Sequence, residues 1–325
     1  MLALIEIGPW HWIGFIAGVL LFLAFDLGVF HKQAHVIHFK EAFIWTLVCI
    51  ALAAAFAAVL IPVRGREEAT EFVTGYLIEL SLSMDNVFVI ALIFAYFRVP
   101  LEYQHRVLFW GVLGALLMRG LMIWIGAELI TRFTWMLYVF GGFLIITGVR
   151  MVFTDQEGVN PDKNPVVRTA RRLFPVSNDY DGQRFTTRIN GQLALTPSAL
   201  VLLMVETTDL IFAVDSIPAI FAVTQKPFIV FTSNVFAILG LRSLYFVLAN
   251  AIGYFRYLKF GLALVLVFIG GRMLAHFFEV EIPTEVSLLV VIGLILTSIL
   301  ASVIAAWREP RSSTLPPENE DGTDD

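Results

Sequence analysis

GYLIELSLSMDNVFVIAL, residues 75–92, is long and apolar enough to lie in a membrane. It nevertheless carries Glu79, Asp85 and Asn86. A helix crosses the hydrocarbon core in roughly 20 residues. A carboxylate placed there costs several kcal/mol unless it meets a partner, a proton, water or an ion. The run therefore predicts a membrane helix whose polar face is turned inward.

The rest of the chain repeats the apolar pattern. Of 325 residues, 58% are hydrophobic and 15% charged, against about 45–50% and 25% in soluble domains. Nine segments are expected to span: 12–30, 41–61, 72–97, 106–126, 133–152, 198–222, 228–250, 257–275 and 284–306. Backbone groups unpaired in lipid are costly, so these are expected as helices. The fold class is an all-α polytopic membrane protein. No basic stretch followed by a small-residue cleavage site opens the chain, so the first segment is expected to remain in the membrane. One domain is expected over 1–309, with a disordered acidic tail at 310–325 rich in Pro, Ser and Glu.

Lys and Arg set the orientation. With the N-terminus outside, 15 of the 22 basic residues fall in inside segments and 4 outside, the other 3 lying in or at the ends of spans. This predicts an outside N-terminus and a cytoplasmic C-terminus. The long connection, about 153–197, then lies inside. Its last part, RFTTRINGQLAL, reads as a short hairpin turning at Asn190-Gly191. The connection reads equally as a regulatory or packing element and as a linker.

A second run, ETTDLIFAVDSIPAIFAVT (206–224), lies over the first. Glu79-Leu80 and Asp85-Asn86-Val87 match Asp209-Leu210 and Asp215-Ser216-Ile217. Arg119 matches Arg242, and Gly148-Val-Arg150-Met matches Gly270-Gly-Arg272-Met. Repeat A, about 72–152, thus recurs as repeat B, about 198–275. Three spans is an odd number, so the copies are expected to be inverted. Such repeats frame midplane substrate sites in secondary transporters.

Asp26, Glu79, Asp85, Glu206, Asp209 and Asp215 all fall in expected spans. With neutral oxygens from Asn86, Ser216, Thr232 and Asn234, they suit a hard cation such as Mg²⁺, Ca²⁺ or Mn²⁺. Residues seven apart nearly coincide around a helix, whereas those six apart diverge by about 120°. Glu79 therefore aligns with Asn86, and Asp209 with Ser216. Asp85 and Asp215 point elsewhere unless the helix breaks, and Pro218 favours a break in the second copy. Asp85, Asn86, Asp215 and Ser216 are read as the central ligands, then Glu79 and Asp209, with Glu206 and Asp26 after them. Arg119 and Arg242 neutralise buried acids or exchange partners as a cation arrives.

The single Cys49 permits no internal disulfide and no soft-metal cluster. No nucleophile–base arrangement and no nucleotide motif is present, so enzymatic activity is not expected.

The runs 75–92, 106–120, 206–224 and 228–246 resemble the TerC family of membrane proteins, and within it the Alx-type branch. The resemblance extends from Ala24-Phe25-Asp26-Leu27 to about Trp307. It implies bacterial inner-membrane export of divalent metal, most of all Mn²⁺, as substrate rather than permanent cofactor. It implies metal-handling roles for Asp26, Glu79, Asp85, Asn86, Glu206, Asp209 and Asp215. Expected partners are the metal ion and membrane lipids, with a homo-oligomer open and no nucleic acid. The alternative is a non-transporting stress-response or redox-modulating scaffold of the tellurium-resistance type, whose acids are structural pairs. A lone thiol argues against thiol redox chemistry in either case.

Overall fold

The computed structural model describes residues 7–25, 38–153, 164–189, 191–249, 257–278, 280 and 282–308. Asp26 and the expected tail at 310–325 lie outside the described residues. The helices are α1 (Pro9–Phe25), α2 (Phe39–Arg64), α3 (Arg66–Tyr96), α4 (Leu101–Arg132), α5 (Met136–Phe153) and the short α6 (Pro165–Leu173). They continue as α7 (Pro197–Phe221), α8 (Pro227–Ala249), α9 (Leu258–Ala275) and α10 (Thr284–Arg308). Two strands, β1 (Thr186–Ile189) and β2 (Gln192–Leu195), precede α7.

Seven helices among the described residues are long and apolar enough to cross a membrane: α2, α3, α4, α5, α8, α9 and α10. α1 is described for 17 residues. α7 is long enough at 25 residues but carries Glu206, Asp209 and Asp215. The protein is thus an all-α polytopic membrane protein. Leu117, Trp124, Ile146, Leu289 and Leu300 stand exposed on the outer helices. These are the surfaces that lipid covers.

α3, α7 and α8 form the interior. α3 packs along α8, α4 along α7, and α5 along α9. α2 and α3 turn about Gly65, whose φ of +94° suits a residue without Cβ. The α5–α9 pair is closely apposed. A Cβ on Gly148 would lie 2.7 Å from the Ala263 carbonyl oxygen, and one on Gly270 would lie 2.6 Å from that of Gly141. Each contact maps onto the other by the 122-residue offset that relates Gly148 to Gly270. Small residues allow such backbone approach where no hydrophobic effect drives helices together. Gly148→Val is expected to cost about 1–3 kcal/mol by overpacking, and Gly142→Val, with open space around it, far less. Denaturant unfolding in detergent checks the pair.

The hairpin is present: Ile189 pairs with Gln192 and Thr186 with Leu195, antiparallel. The connection is tied to the helix ends. The Tyr180 hydroxyl donates to the Phe97 carbonyl at 2.8 Å. Arg106 lies over the Phe185 ring at 5.6 Å. Burial pushes the Tyr180 hydroxyl up to about 12, so it stays protonated as a donor. Tyr180→Phe is expected to lower stability by about 1 kcal/mol, read from the same unfolding curves.

α7 does not break at Pro218. The helix runs on to Phe221, and the Ala222 N–H donates to the Pro218 carbonyl at 3.0 Å. Pro218 sits in the last turn, so the loss of one donor for the Val214 carbonyl costs the helix little of its length.

Candidate functional site: a buried guanidinium among carboxylates

Arg119, on α4, is only 2% exposed. Its Nη2 donates to Asp209 Oδ1 at 2.9 Å, and its Nε to Asp209 Oδ2 at 3.2 Å. The planar guanidinium thus grips the α7 carboxylate with two bonds, the strong geometry for this pair. Nη1 forms an ion pair with Glu79 of α3 and donates to the Ser216 hydroxyl at 3.4 Å. Asn86 Nδ2 donates to Asp209 Oδ1 at 3.3 Å. Three helices therefore meet at one cation.

The helical spacing explains the membership. Glu79 and Asn86 lie seven apart on α3, as Asp209 and Ser216 do on α7, so each pair shares one face. Asp85 and Asp215 lie off those faces. Asp85 is 8% exposed and is electrostatically coupled to Lys259 at the start of α9. Asp215 is half-buried and shares a hydrogen bond with Thr147 of α5. The expected ligand quartet is thus divided: Asn86 and Ser216 join Glu79 and Asp209, while Asp85 faces α9 and Asp215 faces α5.

The site contains more acceptor capacity than it uses. Glu79, Asp209 and Arg119 together carry one excess negative charge if all are ionised. Glu79 Oε2, Asn86 Oδ1 and Ser83 Oγ are buried without a hydrogen-bond partner. Such orphan atoms are uncommon and costly. Asn234 of α8, 1% exposed, has neither amide atom paired. Thr232 is fully buried, its hydroxyl donating to the Ile229 carbonyl at 3.3 Å. Glu206 lies one turn before Asp209 against the bare flank of Gly114, and its Oε2 has no partner. Arg242 is half-buried on α8. Among the described residues, no three His, Cys, Asp or Glu side chains form a ready-made metal cluster.

One polar group is not anticipated from the sequence. Glu68 and Glu71, both 6% exposed, meet Lys226. Thr224 also donates to Glu71 at 2.9 Å. Glu71 falls one residue before the expected span at 72 and so reads as a solvated end. The signal for Glu68 is its spacing, 11 residues before Glu79, which itself lies 7 before Asn86, so that all three share one face.

A multi-helix membrane bundle with charged groups buried between α3, α4 and α7 is the class that fold and site define. The chain belongs to the Integral membrane protein TerC family, which matches residues 64–313. It is 52% identical over 310 residues to the "Uncharacterized membrane protein STKORF319" of Myxococcus xanthus, covering 95% of this chain and 97% of the relative. It is 47% identical over 308 residues to the "Putative membrane-bound redox modulator Alx" of Escherichia coli K12, covering 92% and 95%. An "Uncharacterized membrane protein" of Rickettsia felis is 40% identical over 293 residues, covering 90% and 97%. No solved structure matches.

Proposed function

We propose that this protein is a secondary transporter that exports a divalent cation, Mn²⁺ before others, across the bacterial inner membrane. The observation that supports it is the excess of buried oxygen on the helices that meet Arg119: Glu79, Ser83 and Asn86 of α3 and Glu206 of α7 keep buried oxygens without a hydrogen-bond partner. Oxygen-only surroundings suit a hard cation, and Mn²⁺ is the one that the TerC family resemblance implies. In this reading nine helices span, α1 and α7 included, with the N-terminus outside and the C-terminus cytoplasmic. Repeats 72–152 and 198–275 are inverted copies within one domain. The reciprocal glycine contacts between α5 and α9 support that symmetry. Two ion-handling zones follow: the Arg119 group, and Asp85 with Asp215 flanking it.

A second reading has a specific observation behind it. The E. coli relative is named a "Putative membrane-bound redox modulator", and the described residues hold no ready-made metal cluster. The protein is then a non-transporting stress-response or redox-modulating partner, and its acids are structural pairs. Cys49, the single thiol, is buried, which leaves any redox role to a partner.

Metal flux into inverted vesicles carrying the purified full chain separates the two. Saturable Mn²⁺ uptake above Mg²⁺, Ca²⁺, Zn²⁺ and Cd²⁺ is expected. No flux of any ion under an imposed proton gradient, with folded protein, selects the modulator.

A further inference from the structure

The acid site already holds a cation, and that cation belongs to the chain. Arg119 occupies Asp209 with two hydrogen bonds and Glu79 with an ion pair. A divalent ion approaching these oxygens meets a positive charge at 2.9 Å from Asp209. In a low-dielectric interior that repulsion is strong. The guanidinium must therefore give way, and on leaving it needs another acceptor, because an unpaired charge is not tolerated there.

The structure supplies one. Glu206 precedes Asp209 by three residues on α7, about 4.5 Å along the axis. Its carboxylate fills the space that a side chain at position 114 would take, and α4 has glycine there. Its Oε2 is buried and unpartnered. The negative charge of Asp209 also bears on it, so Glu206 gains from a cation drawn towards it. Gly114 and Arg119 lie on the same helix, about 7.5 Å apart along its axis, and α4 packs along α7, with Gly111 against Val205 and Gly114 against Glu206. A side-chain movement of about one turn carries the guanidinium from Asp209 to Glu206.

We propose that Arg119 is the resident cation of the site, displaced by the incoming divalent ion onto Glu206 in the slot left by Gly114. This rests on the transport reading and adds its regulation. Arg119 keeps the pathway closed and charge-compensated when no metal is present, and metal entry and Arg119 departure are one exchange. Glu206 acts on metal affinity through Arg119, as a positioning residue.

The test is a double-mutant cycle on Mn²⁺ binding by the purified full chain, with Arg119→Ala, Glu206→Gln and both together. Arg119→Ala removes the competitor and is expected to tighten Mn²⁺ binding about tenfold, within the usual range of coupling between sites. Glu206→Gln is expected to weaken binding about as much when Arg119 is present and to have no effect when it is absent. Equal losses in both backgrounds make Glu206 a metal ligand and overturn the proposal. Unchanged or weaker binding in Arg119→Ala also overturns it, while wild-type flux would leave the transport reading standing. No Mn²⁺ bound by any variant ends both. Should Arg119→Ala not fold without metal, Gly114→Ala provides the independent arm. Its Cβ takes the Glu206 slot, so weaker Mn²⁺ binding is expected and unchanged affinity overturns the exchange.

Discussion

Asp209→Ala is expected to cost about 3–5 kcal/mol of folding stability, the range for removing one partner of a buried ion pair. Asp209 receives both bonds of the Arg119 grip and the one from Asn86. Deleting its carboxylate leaves Arg119 with Glu79 and a 3.4 Å contact to Ser216, and strands the Asn86 amide. Asp209→Asn keeps the shape and one acceptor oxygen, so its loss should be smaller. The ordering Ala below Asn below wild type, read from denaturant unfolding in detergent, is the result that counts. A value for Asp209→Ala within about 0.5 kcal/mol of wild type, the range of ordinary surface substitutions, would mean that the Arg119 pairing does not hold the bundle together.

That result bears on how the site is legible. Seven-residue spacing on α3 and α7 pairs Glu79 with Asn86, and Asp209 with Ser216, from the sequence alone. Those four residues are the ones found around Arg119. Spacing alone cannot say whether two acids on different helices share a cation, because helix rotation is set by packing. Here Gly114 and Gly111 on α4 set the approach to α7, where Glu206 and Val205 meet them. The helix break expected at Pro218 fails for a local reason: a proline in a last turn removes one bond rather than a helix. Glu71 was obscured by a boundary, since a charged residue at the edge of an apolar run reads as solvated. The short hairpin, by contrast, was announced by Asn190-Gly191 between alternating residues, and Gly191 takes the positive φ of +79°.

The second large effect separates function from stability in the opposite sense. Asp85→Asn is expected to abolish most Mn²⁺ flux while leaving the fold as stable as wild type or more so. Asp85 is 8% exposed, and the charge that acts on it is Lys259, with no ion pair to Arg119. Burying a carboxylate is a cost to folding that a single cation need not offset, and an amide of the same shape removes that cost. Residues kept at the expense of stability are those whose chemistry is used. If Asp85 takes the moving ion, loss of its charge should reduce flux by about 10–100-fold or more, the range already seen for residues that only support a metal ligand. Asp215→Asn should behave similarly but less cleanly, since its bond to Thr147 is altered as well. Flux and unfolding must be measured on the same preparations. Full flux in a normally folded Asp85→Asn protein would remove Asp85 from the pathway and shift the ion-handling role to the Arg119 group and Asp215. A loss of both flux and stability would instead place Asp85 among the structural charges, which is the pattern that the modulator reading requires.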